Sequence, residues 1–316
     1  MDYGKIKNNL KGPVFPIITP FKDGPSYEVD YDAACAYVDF LYDRGVRNFY
    51  IMTYNSRFSL LSWDEMKKLN EVVTRRIKDK PEDCISIVAD PLTNPTSVSV
   101  DFAKHAEDCG ADIISMIFLE RYYSDDQVFN HFNTVAQNSN IGILIHEQKL
   151  PSKSGGDVLY PLDLLDRIAD IDNVIAIKED SKQPTFSEKI IQRLGDRLNI
   201  IISGRGKRQF VHFHRMGCDA YLVGVGSFAP RVSLDFYKAC VDDDIQTAWG
   251  IINEIERPFL GAAMSCGWHP ALKSAMDELG IMSRVERPPL VAISDEDHNE
   301  LMKTLKQVQE SKYYRD

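Results

Sequence analysis

Eight short, almost wholly apolar runs occur within the first 225 residues, and segments of helix length separate them. Runs that are apolar on both faces are typical of parallel strands buried between two layers. Eight repeated strand–helix units favour a closed (β/α)8 (TIM) barrel, an α/β fold, over a doubly wound sheet, which stays the alternative. The runs are VFPIITPF from Val14, NFYIM from Asn48, ISIVAD from Ile85, DIISMI from Asp112, IGILIHE from Ile141, VIAIKED from Val174, LNIIISG from Leu198 and AYLVGV from Ala220.

The alternation of strands and helices ends after the eighth run. From residue 242 onward the sequence contains only helix-like segments, such as HPALKSAMDELG from His269 and DEDHNELMKTLKQVQ from Asp295. We therefore predict a barrel over residues 1–241 and a C-terminal helical extension over residues 242–316. His269, which precedes a proline at a helix start, is interpreted as a capping or packing residue.

The charge balance restricts the partners of the chain. Lysine and arginine number 37 against 47 acidic residues, for a net charge of −10, which argues against binding to nucleic acid or to an anionic membrane. A small anionic substrate needs only a local cationic pocket. The N-terminus lacks the apolar core of a signal peptide and no run is long enough to span a membrane, so we expect a cytoplasmic protein. The six cysteines form no CxxC pair and are expected to be reduced.

Lys178, in the sixth apolar run, is the residue that most directly indicates chemistry. Alternation along a strand places Ala176 and Lys178 on one face and Ile175 and Ile177 on the other. The β-branched pair suits the layer between strands and helices, so Lys178 is predicted to point into the barrel near its C-terminal mouth, where active sites of this fold lie. A desolvated lysine loses its proton more easily, as attack on a carbonyl requires. The alternative is a solvated lysine paired with one of the two acids that follow it.

The segment VIAIKED resembles the sixth-strand signature of the dihydrodipicolinate synthase/N-acetylneuraminate lyase family, whose lysine forms an imine with pyruvate or another 2-oxo acid. The resemblance extends over roughly residues 12–282, and it implies that Lys178 is the Schiff-base residue and that the chain forms a homo-oligomer, a dimer or tetramer. The other matching segments are GPVFPIITPFKDG from Gly12, SLLSWDE ending at Glu65, VFNHF around Phe132, ISGRGKR from Ile202, MGCDAYLVGVGSFAP from Met216 and GWHPALKSAMDELG from Gly267.

The chain departs from the family pattern after the second strand. The family usually carries Gly-Thr-Thr-Gly-Glu there, whose hydroxyls and backbone amides hold the substrate carboxylate, whereas this chain reads TYNSR from Thr53. Tyr54 and Asn55 replace the two threonines, and both can still donate hydrogen bonds. We expect Tyr54 to take part in catalysis and Asn55 to bind a carboxylate oxygen.

A second departure concerns proton transfer. His146, at the end of the fifth strand, takes the place of the family's proton-relaying tyrosine, and its unperturbed pKa of about 6.5 suits that role. Glu147, Glu120 and Tyr54 are the alternatives; Glu120 lies where the family has paired tyrosines. A purely structural role for His146, hydrogen bonding to the loop that follows it, also stays open. Lys153 occupies the position of an arginine that binds a second carboxylate in the synthase branch.

Three further residues are assigned to substrate binding. Gly204 and Arg205 follow the seventh strand, at loops where barrels often bind phosphate or carboxylate, and Leu222 lies in the eighth. The alternative for the basic segment is a solvated turn that opens a helix. His212 and His214 have no third ligand at metal spacing, so they are interpreted as packing or surface residues and no metal is expected.

The resemblance and these departures from it imply a lyase, either an aldolase or a dehydratase, acting on a polar 2-oxo acid such as a 2-keto-3-deoxy sugar acid, with pyruvate as product or donor. The protonated imine is itself the electron sink, so no cofactor is implied. Dihydrodipicolinate synthesis is disfavoured because the threonine pair and the tyrosine are replaced. The alternative from another class is a barrel that binds a 2-oxo or sugar acid with little or no turnover.

Overall fold

The structure, a computed structural model, confirms the closed barrel. It describes residues 1–92, 94–118, 124–148, 150–152, 156–203 and 207–315. The strands are β1 Gly12–Pro16, β2 Asn48–Tyr50, β3 Ile85–Ala89, β4 Ile113–Met116, β5 Gly142–Gln148, β6 Leu150–Ser152, β7 Gly156–Val158, β8 Val174–Asp180, β9 Asn199–Ile202 and β10 Ala220–Leu222. Eight of them are parallel and close the barrel in the order β1-β10-β9-β8-β5-β4-β3-β2. Strands β6 and β7 form a separate antiparallel pair that the sequence did not predict.

Helices follow the strands and then form the C-terminal part of the chain. Those up to the eighth strand are α1 Tyr3–Asn9, α2 Tyr31–Asp43, α3 Trp63–Lys78, α4 Thr96–Asp108, α5 Asp125–Gln137, α6 Leu162–Ala169, α7 Pro184–Leu194 and α8 Lys207–Phe213. After β10 come α9 Pro230–Val241, α10 Ile245–Ile251, a π-helical turn Ile252–Glu256, α11 Arg257–Cys266, α12 Trp268–Glu278 and α13 Asp295–Gln309. Within the described residues, 3-10 turns lie at Phe58–Leu60, His214–Met216 and Val225–Ser227. The division of the chain at residues 241 and 242 falls at the end of α9 and stays a prediction as a domain boundary.

The core has two layers, one inside the barrel and one between strands and helices. The interior cluster includes Val14, Leu144 and Ala176, and it also contains Ile6 and Leu10 at the N-terminal end of the chain. Helix α1 therefore contributes to the barrel interior, a role that its short, mostly polar sequence did not reveal. Burial of these aliphatic side chains, each about 1.5–3 kcal/mol, stabilises the closed sheet.

One part of the predicted alternation along β8 is wrong. Ile177 packs in the outer layer as expected, but Ile175 belongs to the interior cluster together with Ala176. The cause is an irregularity in the pairing of β5 with β8, where the register shifts between Ile143 and Leu144. A bulge of this kind changes the direction of side chains locally. Alternation resumes beyond it.

The loop after β2 leads into α3 through a capping box. Ser62 accepts a hydrogen bond from the backbone N–H of Glu65, and the Glu65 carboxylate accepts one from the backbone N–H of Ser62. Arg287, far along the chain, donates to both carboxylate oxygens of Glu65 at 2.9 Å. The segment that the sequence matched to a helix start therefore also joins the C-terminal part to the barrel. Within the described part of the chain, no helix has both the length and the apolarity needed to cross a membrane.

Candidate active site

Lys178 lies on β8 near the C-terminal end of the barrel and is fully buried. Its neighbour across the strand pair is His146 on β5, and the two residues are directly in register. The Nζ of Lys178 is 2.7 Å from Nε2 of His146 and 3.3 Å from Oδ2 of Asp180. Because Asp180 is two residues further along the same strand, it shares the face of Lys178. The amine therefore contacts a titratable ring on one side and a carboxylate on another.

The environment of Lys178 favours the neutral amine. Burial lowers the pKa of the Lys178 ammonium, and the nearby charge of Lys182 acts in the same direction, whereas Asp180 and Glu179 oppose the shift. Desolvation penalises the charged form of a lysine, and only the neutral amine can attack a carbonyl carbon. The setting is therefore that of a nucleophilic lysine.

The two acids that follow Lys178 have different partners. Glu179 faces away from the amine: its carboxylate accepts from the backbone N–H of Ser181 at 2.9 Å and from the hydroxyl of Ser187 at 2.7 Å. Burial raises the pKa of Glu179. Asp180 is therefore the acid that approaches Lys178. A counter-ion at this place would stabilise a cationic imine more than it stabilises a neutral amine.

A cavity of about 420 Å³ opens beside Lys178. From the barrel, Tyr54, Asn55, Asp180 and Leu222 line it together with Lys178. Tyr54 and Asn55, which the sequence placed after the second strand, and Leu222, which it placed in the eighth, are thus brought together with the lysine. Each of them lies at or beyond the carboxyl end of its strand, as active-site residues of this fold do.

His146 is buried behind the cavity-lining lysine. Its ring lies edge-on to that of Tyr54, with centroids 6.2 Å apart and planes at 87°. Glu147, the next residue along β5, accepts a hydrogen bond from the backbone N–H of Tyr160 at 2.8 Å. The contact with Lys178 is therefore made by His146. Four other predicted residues, Glu120, Lys153, Gly204 and Arg205, lie outside the described residues.

The C-terminal helices form a wall of the same cavity, which sequence reasoning missed. Glu256, Leu260, Met264, Trp268 and His269 line it from the π-helical turn, α11 and α12. These residues lie in segments whose helical pattern indicated packing only. The signal in the sequence was the Gly-Trp-His-Pro segment, which places two aromatic residues between two helix-like segments.

Of the two alternatives given for His269, capping or packing, capping is wrong. The N-cap of α12 is Gly267, and no side chain caps this helix start. His269 instead lines the cavity, and burial lowers the pKa of its imidazole to about 4, with the charge of Arg57 acting in the same direction. The ring is therefore neutral near pH 7. It offers the cavity a polar group without charge.

Arg57 fixes the loop that carries Tyr54 and Asn55. Its backbone is left-handed, with φ of 57°, and its side chain is buried. The guanidinium donates to the backbone oxygen of Asn55 at 2.5 Å and to that of His269 at 3.2 Å, and it pairs with Glu286. Two cavity-lining segments that are far apart in sequence are thus held by one side chain.

The described residues contain no grouping of three or more His, Cys, Asp or Glu side chains that could hold a metal ion. His212 is exposed on α8 and His214 lies in the short turn that follows, close to the Phe210 ring. The six cysteines are free thiols.

Comparison with known proteins gives concordant similarities over nearly the whole length. A sequence profile described as the dihydrodipicolinate synthetase family matches residues 9–308. A 4-hydroxy-tetrahydrodipicolinate synthase of Methanothrix thermoacetophila is 30% identical and covers 92% of this chain and 95% of its own. An uncharacterised DapA-like lyase of Pyrococcus furiosus is 26% identical, with coverages of 92% and 95%. The crystal structure of dihydrodipicolinate synthase from Oceanobacillus iheyensis superposes with a TM-score of 0.84 at 18% identity, over 96% of this chain and 98% of that one.

Proposed function

The chain belongs to the dihydrodipicolinate synthetase family, and we propose that it is a lyase that binds a 2-oxo acid as a Schiff base on Lys178. One observation carries this proposal. The buried amine of Lys178 lies 2.7 Å from His146 and 3.3 Å from Asp180 and lines a cavity large enough for a small organic acid. A polar 2-oxo acid, such as a 2-keto-3-deoxy sugar acid, is the substrate class that this arrangement suits.

The reaction follows from the chemistry of an imine. The neutral Lys178 amine attacks C2 of the 2-oxo acid to give a carbinolamine. Protonation of the carbinolamine hydroxyl and loss of that group as water leave a cationic imine that Asp180 stabilises. The cation withdraws electrons from C3, so either a C3 proton is lost or the C3–C4 bond breaks, and both routes give an enamine. Bond cleavage releases an aldehyde and, after protonation and hydrolysis, pyruvate. Loss of a C4 hydroxyl from the enamine is instead a dehydration.

Reductive trapping tests the proposal. Borohydride reduces an imine to a stable secondary amine, so pyruvate plus borohydride should add the mass of a reduced pyruvyl group to the protein. Peptide mapping should place that mass on Lys178. If neither pyruvate nor longer 2-oxo acids label the wild-type protein, the chain is better described as a binding protein for 2-oxo or sugar acids.

His146 is the proposed proton-transfer residue, because its Nε2 lies at hydrogen-bond distance, 2.7 Å, from Nζ of Lys178. General acid–base groups contribute about 100- to 10,000-fold. We expect His146→Ala and His146→Gln to lower turnover by about that factor while pyruvate trapping persists. His212→Ala, an exposed histidine on α8, is the control and should leave both unchanged. Near-normal turnover in His146→Gln would move the role to Tyr54 or Glu120.

Dihydrodipicolinate synthesis should be absent or very weak. The condensation with aspartate semialdehyde normally uses the threonine pair and the relay tyrosine, in whose places this chain has Tyr54, Asn55 and His146. Purified protein is assayed with pyruvate and aspartate semialdehyde, with the Methanothrix thermoacetophila synthase as positive control. A rate comparable to that of the control would contradict the assignment to another 2-oxo acid.

We further propose that the chain is a cytoplasmic homo-oligomer, a dimer or tetramer, that needs no cofactor. Members of the family generally form oligomers, which supports the proposed subunit association. The acidic composition, which suits neither nucleic acid nor anionic membranes, supports the proposed location. Light scattering after size-exclusion chromatography measures the subunit count directly.

A further inference from the structure

Glu256 presents a carboxylate to the active-site cavity that the reaction at Lys178 does not use. Its side chain is only 6% exposed, and it lines the cavity from the C-terminal part of the chain. One carboxylate oxygen, Oε1, is 3.5 Å from Nζ of Lys207, which also contacts the hydroxyl of Ser233 at 3.2 Å. The other oxygen, Oε2, is buried and accepts no hydrogen bond from any residue that the structure describes.

The backbone around Glu256 is also unusual. Glu256 ends the π-helical turn Ile252–Glu256, which lies between two regular helices. Pro258 explains the turn, because it has no N–H to donate to the carbonyl of Glu254 and its ring would clash with that carbonyl in an α-helix. Short π-helical turns inside helices are frequent at functional sites.

The unpartnered oxygen indicates the kind of group that Glu256 can bind. An ionised carboxylate only accepts hydrogen bonds, so the partner of Oε2 must be a donor. The ammonium of Lys207 balances the charge of Glu256, so the pair as a whole attracts no further cation. A neutral hydroxyl therefore fits this position better than an ammonium group. We propose that Glu256 is a specificity-determining residue that binds a hydroxyl on the distal carbons of the substrate, and this rests on the function proposed above.

The surrounding wall fits a polyhydroxylated chain. Leu260, Met264 and Trp268 supply apolar surface, while Glu256 and the neutral ring of His269 supply polar groups. The Nδ1 of His269 is buried and has no hydrogen-bond partner within the described part of the chain. A sugar-acid chain has both hydroxyls and C–H faces, so it can satisfy the polar atoms while packing against the aromatic and aliphatic side chains.

Binding of acids that cannot form an imine tests the contact separately from Lys178. The probes are D-gluconate, 2-hydroxyhexanoate and 6-amino-2-hydroxyhexanoate, measured by titration calorimetry. The wild-type protein should bind gluconate more tightly than either of the other two acids. In Glu256→Gln, the amide oxygen can still accept a hydrogen bond from Lys207. The affinity for gluconate should fall by roughly 10-fold, the difference between charged and neutral hydrogen bonds. The double variant Lys207→Met/Glu256→Met leaves no unpaired charge, and its affinity for gluconate should be about 10- to 100-fold lower than that of wild type.

Two controls separate this proposal from the function itself. Glu254→Gln makes the same substitution on the same turn. Because Glu254 is exposed, this change should leave the affinities for all three acids unchanged. Pyruvate trapping on Lys178 should be normal in every variant, because pyruvate is too short to carry distal hydroxyls. Any of three results would overturn the proposal. In wild type, gluconate and 2-hydroxyhexanoate could bind with equal affinity, or 6-amino-2-hydroxyhexanoate could bind more tightly than gluconate. In folded Glu256→Gln, the preference for gluconate could be as large as in wild type. Failure of pyruvate trapping in wild type would reject the Schiff base alone.

Discussion

Replacement of Lys178 by methionine or arginine is expected to abolish imine trapping and to lower turnover by about 10⁴-fold or more, the range seen when a covalent nucleophile is lost. Methionine fills the same buried space without an amine. Arginine restores a cation but cannot replace the lysine, because a guanidinium stays protonated and does not attack a carbonyl. The expected loss is the largest of any single substitution in the cavity, since every later step of the proposed reaction proceeds through the imine.

The measurement is mass spectrometry after borohydride treatment, together with pyruvate release from 2-keto-3-deoxy sugar acids. Lys182→Met is the matched control, because Lys182 lines the same cavity but is exposed and is not placed against His146. Its trapping should equal that of wild type. A label that persists in Lys178→Met, or that maps to Lys182, would assign the imine to another residue. Since burial lowers the pKa of Lys178, trapping should also remain efficient at pH values well below the ordinary lysine pKa.

The barrel and its lysine could be predicted from sequence because both depend on local rules. A strand covered on both faces must be apolar throughout, so the eight runs were visible without any tertiary information. Alternation then placed Lys178 and, from Leu144, His146 on inward faces, and the structure has these two side chains in contact. The same rule gave the wrong face for Ile175, because a register irregularity between two strands has no signature in either strand alone.

The cavity wall could not be predicted in the same way. Glu256 and His269 lie in segments whose helical periodicity is compatible with many packing arrangements, and only the packing of those helices over the barrel mouth makes them cavity residues. Contacts such as that between Arg57 and Glu286 join residues 229 positions apart. The positions of charged residues in a single sequence do not indicate which acidic residue will form an ion pair with which basic residue. Buried ion pairs of this kind therefore have to be found in the structure.

Loss of the Glu286 carboxylate is expected to destabilise the protein by about 3–5 kcal/mol, as removal of one partner of a buried ion pair does. The side chain of Glu286 is 0% exposed and accepts hydrogen bonds from Arg57 at 2.6 and 3.3 Å. Lys273 Nζ is 3.4 Å from the same carboxylate and also donates to the backbone oxygen of Val285. One buried acid thus serves two buried cations, so its removal leaves positive charge in a low-dielectric region.

The two cations respond differently to that loss. Burial lowers the pKa of Lys273 to about 7, and the neighbouring charge of Arg57 adds to the effect, so Lys273 can release its proton when Glu286 is absent. Arg57 cannot, because a guanidinium keeps its proton in proteins. The expected cost therefore comes chiefly from Arg57. Glu286→Leu should show the full destabilisation, and Glu286→Gln, which keeps an acceptor for Arg57, should lose less.

Urea unfolding measured by circular dichroism gives the free energies, with Glu82→Leu as the matched control. Glu82 also pairs with an arginine, Arg47, but its side chain is 63% exposed, and such surface pairs contribute about 1 kcal/mol or less. Glu286→Leu should also raise KM more than it lowers kcat at temperatures where it stays folded, because Arg57 holds the backbone of Asn55 and His269 at the cavity. Equal losses of stability in Glu286→Leu and Glu82→Leu would contradict the expected cost of leaving Arg57 buried without its carboxylate partner.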